Sequence, residues 1–109
     1  MPRWSDRGEV WLCALDPTVG SEIQKTRPCV IISPSELNDY LRTVIVAPLT
    51  TGGHPAHYRV PVGFEGVEGL ILLDQIRTVD RRRLLRRLGT VESETIATTL
   101  ATLRELFAD

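Results

Sequence analysis

Few residues in this sequence advertise chemistry by their type. Two cysteines, Cys13 and Cys29, and two histidines, His54 and His57, occur among 109 residues. No Cys-x-x-Cys pair or Cys/His cluster is present, which argues against a structural zinc site and leaves both thiols as buried, free side chains inside strands. The sequence calls for no metal and no cofactor. Aromatic residues are scarce: Trp4, Trp11, Tyr40, Tyr58, Phe64 and Phe107 are the whole supply. The longest apolar run, Val44 to Leu49, is far shorter than the ~18 residues of a membrane-spanning helix. The opening Met-Pro-Arg-Trp-Ser-Asp-Arg lacks the apolar centre of a secretory signal, so a cytoplasmic protein is expected. Internal repeats, linkers and low-complexity tracts are also missing.

Charge of one sign is missing too. The net charge is −1, but its distribution matters more than its sum. Residues 1–91 hold 12 Lys/Arg against 10 Asp/Glu, whereas residues 92–109 hold one Arg and four acids. The body is mildly basic and the acidic excess sits at the C-terminal end.

What is present is a set of short strand signals. The length suits one domain, able to bury roughly two thirds of the surface its unfolded chain exposes. Val10 to Leu15 and Cys29 to Ile32 are apolar runs that predict strands on either side of a polar loop. Within that loop Gly20 is free to take positive φ, and Arg27, placed before Pro28, is pushed to an extended backbone. Ser33 to Tyr40 predicts a turn or one helical turn. Thr43 to Leu49 is the strongest strand, and Thr50 to His57 is a second polar loop. A strand over Tyr58 to Val62 precedes a Gly-rich turn over 63–69. Leu70 to Leu73 leads into the alternating Asp74 to Val79. Asp80 can cap a helical turn over Arg81 to Leu84, before a last strand near Arg86 to Val91. From Glu92 the period becomes helical, with Ile96, Leu100, Leu103 and Phe107 on one face. The fold class is mainly β with a C-terminal helix, a small, strongly curved antiparallel sheet or barrel. Trp11 and Phe107 are expected in its core, with Tyr58 and Phe64 as the surface stackers.

A guanidinium on the lip of a strand, with Ser21, Glu22 and Lys25 nearby, suits a phosphate. Pairing of Arg27 with Glu22 on a solvated loop is the competing local interpretation.

The order and spacing of five motifs resemble the MazF/PemK family of toxins. These are Arg7-Gly8-Glu9-Val10-Trp11, Asp16 to Glu22, Thr26 to Pro34, Val46-Ala47-Pro48-Leu49-Thr50-Thr51 and Leu73 to Asp80. The resemblance implies an SH3-like, PemK/CcdB-like barrel that works as a homodimer. It implies metal-independent, sequence-specific cleavage of single-stranded RNA, chiefly messenger RNA, leaving a 2′,3′-cyclic phosphate and a 5′-hydroxyl. It also implies a cognate antitoxin whose acidic, partly disordered segment covers the RNA groove. Carried onto matching positions, the family's catalytic Arg is Arg27, its catalytic Thr is Thr50, and its first-loop Gly-Ser-Glu is Gly20, Ser21 and Glu22.

The chemistry of these residues is compatible. Arg27 stays protonated, so it suits stabilisation of charge on the phosphorane and protonation of the leaving 5′-oxygen. Thr50 can hydrogen-bond a phosphate oxygen or orient the 2′-hydroxyl. Glu22, if buried, could accept a proton near neutrality; otherwise it orients Arg27. Contacts to RNA are expected from Gly20, Ser21, Lys25, Thr51, His57, Gln75 and Arg77. The loop Gly52 to His57 is expected to bear on the recognised RNA word, and His54 and His57 to be solvated. Of the dense Arg cluster Arg77, Arg81, Arg82, Arg83, Arg86 and Arg87, some members face phosphates and others pair with Asp80 or the acidic helix. Rival functions are a CcdB-like gyrase poison, whose C-terminal Trp has no counterpart in Leu106-Phe107-Ala108-Asp109, and a barrel that binds RNA or antitoxin without cutting.

Overall fold

The computed structural model describes residues 5–109, so Trp4 lies outside the described residues. β1 (Glu9–Ala14), β2 (Thr26–Ile31), β3 (Thr43–Thr50), β4 (Arg59–Phe64), β5 (Val67–Leu72), β6 (Arg77–Asp80) and β7 (Leu84–Thr90) form one antiparallel sheet in the order β4-β5-β3-β2-β1-β7. β3 is its hub. One edge pairs with β2; the other is shared, its first half taken by β6 and its end by β5. Two register shifts between β1 and β7 increase the local twist, and the strands curl into a half-barrel rather than a flat sheet.

The unbroken apolar run of β2 follows from burial on both faces, because successive side chains point to opposite sides of a strand. Val30 and Ile32 enter one core with Ala47, Leu49, Val60, Val62 and Ile71, while Cys29 and Ile31 enter a second with Cys13, Leu15, Val44, Val46 and Val79. Both cysteines are buried and free.

Helix α1 (Ser35–Tyr40) starts after Pro34, and helix α2 (Ser93–Leu106) packs Ile96 and Leu103 on the first core. Asp80 caps the 3₁₀ turn Arg81–Arg83 by accepting the Arg82 N–H, as its position suggested.

Three expectations need correction. The Gly-rich stretch 63–69 is not one long turn. Strand continues to Phe64 and resumes at Val67, and Glu65 and Gly66 alone turn the chain, both at positive φ (53° and 76°). That is the geometry of a two-residue type I′ hairpin, whose twist matches its strands. Phe107 is 71% exposed, because α2 ends at Leu106 and its last turn leaves the sheet; Thr99 is the buried residue of that helix. Its hydroxyl is satisfied by the Thr95 carbonyl at 2.7 Å. Trp11 is half-buried against the second core, with its indole N–H donating to Glu9 at 3.1 Å.

Candidate functional site

The β2–β3 register pairs Cys29 with Pro48; continued two residues, it sets Arg27 opposite Thr50. Residues directly opposite in an antiparallel pair share a face. Both line a cleft of about 230 Å³ between the end of this pair and the β4–β5 hairpin, with apolar walls from Pro28, Leu49, Val62 and Phe64. The approach of β5 to Thr50 depends on Gly69, since a Cβ there would lie 2.3 Å from the Thr50 carbonyl oxygen.

Arg27 is half-buried at the rim, and its Nε–H donates to the Gln24 carbonyl at 3.2 Å. No carboxylate pairs with it among the described residues. Thr50 Oγ1 accepts the Gly52 N–H at 3.3 Å and Thr51 lies beside it on the cleft wall. Behind Arg27 lies the cysteine pair. The Cys13 thiol is pulled below its ordinary value by a hydrogen bond from Cys29 and by the Arg77 and Arg83 charges, against the effect of burial. Cys29 is pushed up by the same shared proton and by burial, and it donates weakly to the Arg27 carbonyl.

The first loop (residues 15–25) is braced internally. Leu15 N–H donates to the Lys25 carbonyl, Lys25 N–H donates to Asp16 Oδ1, and Val19 N–H donates to Glu22 Oε1 at 2.6 Å. Gly20 takes a φ of 59°. Glu22 is therefore exposed and occupied by its own loop. The burial that a proton acceptor would need is lacking, and Arg27 is not the group it holds. The competing Arg27–Glu22 ion pair does not form.

The structure brings Arg27, Thr50 and Thr51 together in the first cleft. Ser21, Glu22, Gln75 and Arg77 line a second cleft of about 350 Å³ with Ile23 and Ile76. Gly20, Lys25 and His57 line neither; all three are exposed. His57 stands edge-on to Tyr58, with ring centroids 5.1 Å apart. Tyr58 is a poorer platform than expected, because the Arg59 guanidinium lies 5.7 Å from its ring centre. Phe64 is half-buried against the first core and still lines the Arg27 cleft.

The Arg cluster divides differently from expectation. Arg82 pairs with Asp80, but Arg87 pairs with Glu9. Arg77 and Arg83 grip the backbone carbonyls of Leu15 and of Ala14 and Asp16, where the first loop departs. The described residues show no ion pair to α2.

Glu65, Val67, Glu68 and Gly69 of the hairpin also border the first cleft and were missed. Xaa-Gly between β-branched alternation is the hairpin signal that could have found them. Among the described residues no group of three or more His, Cys, Asp or Glu side chains gathers, and no helix is long and apolar enough to cross a membrane.

Residues 6–107 match the family model described as PemK-like, MazF-like toxin of type II toxin-antitoxin system. The chain is 40% identical over 82 residues to Endoribonuclease PemK of Escherichia coli, covering 71% of this chain and 62% of that one. It is 42% identical over 88 residues to Endoribonuclease MazF of Staphylococcus epidermidis, covering 75% and 73%. The chain thus spans less than two thirds of the PemK relative's length. Its fold overlays the crystal structure of MazF from Deinococcus radiodurans with a TM-score of 0.83, at 25% identity over 94% of each chain. A MazE–MazF crystal structure from the same organism matches with a TM-score of 0.72, at 26% identity over 94% of each.

Proposed function

The chain belongs to the PemK-like, MazF-like toxin family of type II toxin–antitoxin systems, and on that premise we propose that it is an endoribonuclease that cuts single-stranded RNA at particular words. The observation that carries the proposal is that Arg27 and Thr50 line one cleft from adjacent strands, with the guanidinium in no ion pair among the described residues.

The RNA 2′-hydroxyl loses its proton to solvent as its oxygen attacks phosphorus, the bond from phosphorus to the 5′-oxygen breaks, and that oxygen takes a proton from Arg27, which solvent replaces; a 2′,3′-cyclic phosphate and a 5′-hydroxyl result. Charge accumulates on the non-bridging oxygens during the step. The planar N–H fork of Arg27 holds those oxygens and gains strength as their charge grows. Thr50 Oγ1 holds a phosphate oxygen or the 2′-hydroxyl in line. Arg27 and Thr50 are carried forward as the catalytic pair. Glu22 serves as the brace of the flanking loop. Gly20, Ser21, Lys25, Thr51, His57 and Arg77 face the RNA, and Arg77 also fixes the end of β1. Gln75 lines the second cleft with Ser21 and Arg77, and its amide is held by the first loop. The reaction uses no metal ion. The protein works as a cytoplasmic homodimer, and the acidic segment of an antitoxin covers the Arg27 end of the cleft.

Purified protein incubated with mixed-sequence RNA and a chelator tests the proposal. Discrete cuts with cyclic phosphate and 5′-hydroxyl ends are expected. Intact RNA, with or without added divalent ions, would return the chain to a non-catalytic binding barrel.

A further inference from the structure

Both polar loops beside the Arg27–Thr50 cleft are fastened to one short 3₁₀ turn, Leu73–Gln75, whose Leu73 is sunk in the first core at 1% exposure. Gln75 takes the first loop. Its Oε1 accepts the Ile23 N–H at 3.1 Å and its Nε2 donates to the Ser21 carbonyl at 3.4 Å. Asp74 takes the second loop through Arg59, whose Nε and Nη2 donate to the two carboxylate oxygens at 3.2 and 3.1 Å. The remaining arm of that guanidinium, Nη1, donates to the His54 carbonyl at 3.3 Å. The Leu73 N–H also donates to the Tyr58 carbonyl at 3.2 Å, which closes the second loop onto the turn.

The link passes under the second loop and makes no hydrogen bond to Arg27 or Thr50 among the described residues. A Cβ on Gly53 would sit 3.5 Å from Arg59 Nη1 and 3.7 Å from Thr50 Cγ2, so the guanidinium lies beneath the loop that leaves Thr50. An ion pair at this exposure contributes little to stability. A forked, two-point contact nonetheless fixes direction as well as distance.

Resting on the nuclease function proposed above, we propose that Arg59, Asp74 and Gln75 are positioning residues that set the spacing of the two RNA-facing loops, and so select the RNA word that is cut rather than the rate of cutting. Both ends of the Gln75 amide are engaged within the protein, which suits a strut better than a base contact. Recognition of splayed single-stranded bases depends on where donors and acceptors stand, and specificity is a difference between affinities that a small shift of one loop against another alters. The chemistry, held on strand ends at Arg27 and Thr50, is insulated from that shift.

The test compares full-length wild type, Arg59→Gln, Asp74→Asn and the double variant on a random-sequence RNA pool with all cut ends sequenced. Each single variant should spread cutting over words differing from the wild-type word, lowering the preference for the best word by about tenfold, with kcat on that word little changed and KM raised. The double variant should match the singles, because all three break one link. Arg59→Lys, which still reaches one carboxylate oxygen, should recover part of the preference. Hydrogen exchange gives a readout independent of cleavage: the Ile23 amide should exchange faster in Asp74→Asn. An unchanged word preference, or loss of kcat on every word with the thermal midpoint intact, overturns the proposal. So does unaltered exchange at Ile23. A wild-type protein that cuts no RNA refutes the nuclease function instead, and the exchange result still decides whether the turn couples the loops.

Discussion

Arg27 and Thr50 line one cleft from neighbouring antiparallel strands, although 22 residues of loop, helix and strand separate them in the chain. Neither sits at a loop tip. The hub strand β3 and its partner β2 are buried on both faces behind them, so the fold itself holds the pair in place.

Arg27→Lys keeps the charge and removes the fork. Removal of a preorganised donor of this kind costs about 10²–10³ in kcat, and that loss is expected with an unchanged thermal midpoint. Thr50→Ala should lose roughly tenfold, the worth of one hydrogen bond near 1.4 kcal/mol, while Thr50→Ser stays close to wild type. Single-turnover cleavage of one defined RNA checks both.

Gly69→Ala places a methyl group against the Thr50 carbonyl at a separation no real contact tolerates. β5 must then move away from β3. Overpacking of this kind destabilises by about 1–3 kcal/mol, and cleavage should fall on every RNA word because the movement reshapes the cleft that Gly69 and Thr50 both line. Gly63→Ala is the matched control, since a Cβ there meets nothing within 4 Å. Denaturant titration and cleavage rates on both variants decide the matter.

Glu22→Gln should leave cleavage nearly intact between pH 6 and 8 (about the range that neutral-pH enzymes work in), because an amide oxygen can still accept the Val19 N–H. Glu22→Ala frees that N–H and should raise KM more than it lowers kcat. A steep loss in Glu22→Gln, tracking pH, would restore Glu22 as proton acceptor.

Asp80 is held below the usual carboxylate range by the Arg82 backbone N–H and then by the Arg82 side chain. A depressed carboxylate stabilises the fold above its unfolded value and loses that contribution as pH falls through its folded one. Wild type should therefore melt slightly above Asp80→Asn at neutral pH, with the difference closing in acid. Thermal midpoints across the acid limb measure it.

Strand positions and the terminal helix were legible in the sequence because period and punctuation are local. The Asp80 cap and the buried cysteines were legible for the same reason. The stretch from Gly63 to Gly69 was not, because its three glycines serve different ends: Gly66 turns the chain, Gly69 admits a neighbouring strand, and Gly63 lies within β4. Phe107 has the right helical phase, but phase does not say where a helix outruns its sheet. Thr99 is hidden by its polar type, since its hydroxyl bonds within its own helix. At the site, the resemblance picked out Arg27 and Thr50, and the strand register supplies the reason they meet. Contacts across long separations had no local signature: Arg59 with Asp74, Gln75 with Ser21, Arg77 with Leu15.

The Arg27 guanidinium has no ion pair among the described residues, although Glu65 and Glu68 border the same cleft. A planar N–H fork of this kind suits phosphate, sulfate and carboxylate alike. On the proposed function, the cleavage rate should therefore fall as dissolved anions compete for that fork.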